Sequence, residues 1–121
     1  MSNTITQRGK RGPVELDLDA GELRIAQART PEGEQLDVVV PFIEITDIKL
    51  RHGSMLKASE CLLHTVTGSR YEWATYEPVD AFATLTVLIS RLWRDAISAN
   101  VTKDILSEQA AVLREFFDDR D

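Results

Sequence analysis

The hydrophobic residues of this chain change their period once. From Val14 to Trp73 they recur mostly at every second position, and from Val79 onward at every third or fourth, so strands come first and helix follows. Parallel strands need a crossover between them, usually a helix, and no such alternation is present. The order therefore predicts an α+β fold in which about six antiparallel strands roll into a barrel or sandwich and a C-terminal helix covers the open end.

Along the chain, Val14, Leu16 and Leu18 alternate with Glu15, Asp17 and Asp19, and Asp19-Ala20-Gly21 reads as a turn into a strand carrying Leu23 and Ile25. Pro31 and Gly33 mark a loop before Leu36, Val38 and Val40, and Pro41, which has no amide hydrogen, should end that strand. Ile43, Ile45, Ile48 and Leu50 continue an apolar series whose phase shifts at Thr46-Asp47, where a kink is expected. The clearest hairpin is Ser59 to Val66, then Thr67-Gly68-Ser69, then Arg70 to Thr75. After Pro78, the spacing of Phe82, Leu85, Ile89, Leu92 and Ala96 predicts a helix. A core of Val38, Val40, Ile48, Leu63, Tyr71, Trp73, Phe82, Leu85, Ile89 and Leu92 is expected. A second amphipathic helix is predicted over 102–117, its stripe formed by Ile105, Leu106, Ala110, Leu113, Phe116 and Phe117. The reading thus divides the chain into a disordered basic arm, 1–13, a folded domain, 14–97, and a terminal amphipathic helix within 98–121.

A chain of 121 residues with 43% hydrophobic content suffices for one core. The formal charge of −6 argues against general nucleic-acid binding, which needs an excess of cations on the contact face. Two segments are locally basic: Arg8, Lys10 and Arg11 in the arm, and Lys49, Arg51 and Lys57 within 49–58, neither with an acid. One cysteine, Cys61, cannot make an internal disulfide, which fits a reducing compartment. The expected location is the cytoplasm, with peripheral membrane attachment or the nucleus as alternatives.

The run Val38-Val-Val-Pro-Phe-Ile-Glu-Ile-Thr-Asp-Ile-Lys-Leu50 resembles the strand-proline-isoleucine segment of GRAM-type pleckstrin-homology (PH) domains. Leu62-Leu-His-Thr-Val-Thr-Gly-Ser-Arg-Tyr-Glu-Trp73 is similar to their later hairpin, and Asp80-Ala-Phe82 to their helix start. The resemblance spans residues 36–97 and implies a PH-like barrel capped by a helix. It also implies that a specific inositol-phosphate pocket would use basic residues between the first two strands. With those strands read as beginning at Val14 and at Leu23, the intervening Asp17-Leu-Asp-Ala-Gly-Glu22 is acidic, which argues against such a pocket.

No phosphate-cradling glycine loop, metal-spaced Cys/His set or serine-centred motif is present, and Cys61 and His64 should face opposite sides of one strand. No catalytic residue, metal or cofactor is assigned. The ligand candidates are Lys49, Arg51, His52 and Lys57, because cations beside a glycine turn can donate charge-assisted hydrogen bonds to anionic groups. The protein-interface candidates are Ile105, Leu106, Leu113, Phe116 and Phe117. The expectation is a non-catalytic PH/GRAM-like interaction module that recruits a protein or an anionic phospholipid surface. The alternative is an adaptor or assembly subunit that self-associates through its C-terminal helix.

Overall fold

The computed structural model describes residues 3–99 and, beyond them, Ile105, Glu108, Gln109, Ala111, Val112 and Glu115. Seven antiparallel strands come first: β1 (Thr4–Gly9), β2 (Gly12–Asp17), β3 (Glu22–Arg29), β4 (Gln35–Pro41), β5 (Ile45–Arg51), β6 (Ser59–Thr65) and β7 (Arg70–Thr75). A single 3-10 turn, Phe42–Glu44, joins β4 to β5, and α1 (Asp80–Ala99) closes the series. The strand order is β4-β3-β2-β1-β7-β6-β5. One edge of β7 pairs with β6, and its other edge meets β1 at Gly9↔Thr75 and β3 at Arg29↔Glu72. These two contacts close the barrel. The α+β class, with a rolled antiparallel sheet followed by a helix, is as expected.

The alternation that announces each strand is also what fills the barrel. Val14, Leu16, Leu23, Ile25, Val38, Val40, Cys61, Leu63 and Trp73 point inward from their strands, and Val79, just before α1, joins Leu85, Ile89, Trp93 and Ala96 of α1 in the same cluster. Of the expected core, Ile48, Tyr71, Phe82 and Leu92 are partly buried against that cluster and the other six residues are buried within it. The phase shift at Thr46 is a bulge, since Ile45 pairs with Thr65 but Asp47 with His64. Beyond it the inward positions pass from Ile45 to Ile48 and Leu50. A second bulge puts Gln27 at φ 54°, and the Asp37 carboxylate accepts from the Gln27 backbone and side-chain amides at 3.0 and 3.3 Å. Gly21 sits at φ +73°, and a Cβ there would come within 3.3 Å of the Trp93 ring, so the turn before β3 requires glycine twice over.

Two expectations about the ends change. Residues 4–9 are not an arm: β1 pairs with β2 from Thr4↔Asp17 to Gly9↔Gly12. The alternation is hidden because the one fully buried side chain of β1 is polar Gln7, which accepts from the Trp73 indole N–H at 2.9 Å and donates to the Pro78 carbonyl at 3.3 Å. The domain accordingly begins at least as early as Thr4, and the first turn of the sheet is Lys10-Arg11. At the other end α1 runs on to Ala99, two residues past the expected end of the folded domain at 97. The predicted helix over 102–117 lies for the most part outside the described residues. The six that are described there are helical.

Candidate functional site

Cross-strand register assembles a charged surface from residues scattered along the chain. Residues directly opposite each other on neighbouring strands share a face. The outward row nearest the β5–β6 turn is therefore Arg51, Glu60 and Ala74, with Lys10 alongside through its backbone N–H to the Ala74 carbonyl at 2.7 Å. The next row is Lys49, Leu62, Glu72 and Arg29, and the third is Asp47, His64 and Arg70. Arg11, beside Lys10 in the first turn, donates to Gln35 at the start of β4 at 3.0 Å. Lys10, Arg11, Arg29, Lys49, Arg51 and Arg70 thus face three carboxylates, Asp47, Glu60 and Glu72. On a chain of formal charge −6 this surface has a cationic excess.

Two adjoining shallow concavities run over it. One lies between the Lys10-Arg11 turn and Arg29, and the other among Arg29, Arg51 and Arg70, with Glu60 and Glu72 shared by both. Arg51 is held by Glu60 at 3.2 Å, whereas Arg29 and Arg70 make no ion pair among the described residues. The outer surface of β2 and β3 has the opposite bias. There Arg24 is the lone cation among Glu15, Asp17 and Glu22, with its guanidinium 2.6 Å from Asp17.

The sequence-expected cations occupy this surface or its rim. Lys49 and Arg51 share the outward side of β5. His52 and Lys57 lie in the β5–β6 turn, where His52 Nε2 is 2.9 Å from Asp80 Oδ1 at the start of α1. Sequence reasoning missed Arg29 and Arg70 and assigned Lys10 and Arg11 to an arm. The premise of the expectation against an anion pocket changes with it: the first two strands are joined by the basic Lys10-Arg11, whereas the acidic 17–22 spans the connection from β2 to β3. Of the interface candidates, Ile105 is helical and exposed, while Leu106, Leu113, Phe116 and Phe117 lie outside the described residues.

Cys61 is 1% exposed within the core, and burial pushes its thiol from the ordinary 9.0 up to about 12. A thiol so placed is a poor nucleophile. His64 lies on the outward side of the same strand, so the two side chains do not meet. Among the described residues, no group of three or more His, Cys, Asp or Glu side chains is placed to hold a metal ion. None of the helices among them is long and apolar enough to cross a membrane.

In comparisons with protein-family models, curated proteins and solved structures, the chain gives no significant match to any of them.

Proposed function

We propose that this chain is a non-catalytic, PH-like interaction module that attaches to an anionic membrane surface through the outward side of β5–β7 and the neighbouring Lys10-Arg11 turn. The seven-strand meander followed by one helix supports the PH-like part of this reading. The observation that carries the attachment is the segregation of charge: six cations against three carboxylates on one surface of an acidic chain, with Arg29 and Arg70 unpaired among the described residues. Such an asymmetry orients the molecule on an anionic sheet of headgroups, and each cation near the surface contributes about 1 kcal/mol of attraction.

The test is co-sedimentation with phosphatidylcholine vesicles that contain or lack phosphatidylserine. The parent should bind only the anionic vesicles, and more weakly as ionic strength rises, since contacts between exposed charges are screened. Lys49→Glu, Lys57→Glu and Arg70→Glu together should weaken binding by roughly a hundred-fold or more while leaving the melting temperature close to the parent's, because none of these three side chains is buried. Equal binding to neutral and anionic vesicles would remove the charge-driven attachment, and binding to neither would remove the membrane reading altogether.

A further inference from the structure

The most exposed large hydrophobic side chains of the described residues are neighbours. Met55 is 99% and Leu56 95% exposed, whereas the other exposed ones, from Leu36 to Val112, lie between 37% and 65%. They form the two-residue apex of the β5–β6 connection. Below them Ser54 N donates to Lys57 O at 2.9 Å and Lys57 N to Ser54 O at 3.2 Å, which closes the apex into a tight hairpin turn. Its base is pinned as well. Gly53 N donates to Ser59 Oγ at 2.9 Å, His52 contacts Asp80, and a Cβ on Gly53 would lie 2.0 Å from the Lys57 carbonyl oxygen. The connection is therefore a preformed knob, and its ordering cost has already been met by folding.

We infer that Met55 and Leu56 are an apolar wedge that inserts beneath the headgroups of an anionic bilayer, with Lys57, Arg51 and Lys49 meeting the lipid phosphates around it. The inference rests on the membrane attachment proposed above and adds the mode of insertion. Charge and size choose the occupant. From Ile48 to Ser59 the chain carries no acid, so the cations flanking the wedge suit an anionic surface. Two side chains are far too few to make a protein interface by themselves, which takes about 800 Å² on each partner. A bilayer interface, by contrast, accepts an apolar side chain without requiring a matching pocket.

The experiment uses the whole chain with Met55→Cys, labelled by an environment-sensitive fluorophore and added to phosphatidylcholine–phosphatidylserine vesicles. Cys61 stays unlabelled in the folded protein because it is buried, and the parent serves as the labelling control. On binding, the label should shift to the blue and be quenched by lipids carrying bromine near the top of the acyl chain. In parallel, the Met55→Ser/Leu56→Ser variant should keep the parent's melting temperature, lose about ten-fold or more in vesicle affinity, and lose the residual binding that the parent retains at high salt. A labelled Met55→Cys protein that binds while its label stays in water, or a serine variant that binds as the parent does, overturns the wedge and leaves the charge-driven attachment standing. Absence of parent binding to anionic vesicles overturns both. If the serine variant instead weakens binding to an acidic protein but not to vesicles, the occupant is a protein and the inference is wrong.

Discussion

Gln7 and Cys61 are buried within one barrel and are tolerated there for different reasons. Gln7 can be enclosed because both ends of its amide are matched, the oxygen by the Trp73 indole and the nitrogen by the Pro78 carbonyl. Cys61 needs no partner so long as it stays protonated, and burial holds its thiol pKa at about 12 against the ordinary 9.0. The consequence for stability has a definite sign. Below pH 9 both the folded and unfolded thiols are protonated and the group adds no pH dependence. Between 9 and 12 the unfolded thiol ionises while the folded one does not, so stability is lost as pH rises through that window. The comparison is with Cys61→Ala, which keeps every other ionisable group of the parent. Relative to that variant, the parent should lose up to about 1.4 kcal/mol per pH unit above 9 in urea titrations. The same burial predicts that the folded protein resists a thiol reagent at neutral pH and reacts once urea unfolds it. Rapid labelling of the folded chain would mean that Cys61 is not enclosed.

At the scale of elements, β1 decides whether the chain begins with a strand or an arm. Its removal takes away the β2 and β7 pairings and the Gln7 amide that satisfies the Trp73 N–H. A buried donor left without an acceptor costs about 1–3 kcal/mol on its own. Deleting residues 1–11 should therefore lower stability by more than that in denaturant titrations, whereas an unchanged melting temperature would restore the arm. Elements are legible in a sequence when their inward positions are apolar. Leu36, Val38 and Val40 announce β4, and the step from Ile45 to Ile48 announces the bulge. β1 turns Gln7 inward, so hydropathy cannot mark it. The surface was legible only within one element. Lys49 and Arg51 are two residues apart and were found, but Lys10, Arg29 and Arg70 reach the same surface from three other segments through strand register, which no local pattern contains. Met55-Leu56 did carry a signal, an apolar pair inside a basic turn, but apolar residues are read as core until their exposure is known.

For the whole molecule, the decisive relation is between the sheet and α1. The barrel closes through only single residue pairs at Gly9↔Thr75 and Arg29↔Glu72, and α1 supplies what the strands leave open. Val79, Leu85, Ile89, Trp93 and Ala96 join the same cluster as the strand residues, and Trp93 packs on Phe42 of the 3-10 turn with ring centroids 5.8 Å apart. Arg94 donates to the Ile45 carbonyl, which ties the outer side of the helix to the start of β5. A helix of 20 residues has little stability alone, so its order depends on this packing, and the sheet in turn depends on the cover. The two should therefore unfold together. Leu85, 4% exposed, is the test position, because truncating a buried leucine costs about 2–5 kcal/mol. In Leu85→Ala, the far-ultraviolet signal of the helix and the fluorescence of Trp73 and Trp93 should move to lower denaturant by the same amount, with their transitions still coincident. If the helical signal and the emission of Trp93, which lies on α1, move while the emission of Trp73 on β7 keeps the parent midpoint, α1 is an appendage of an independently stable sheet, and the barrel does not need its cover.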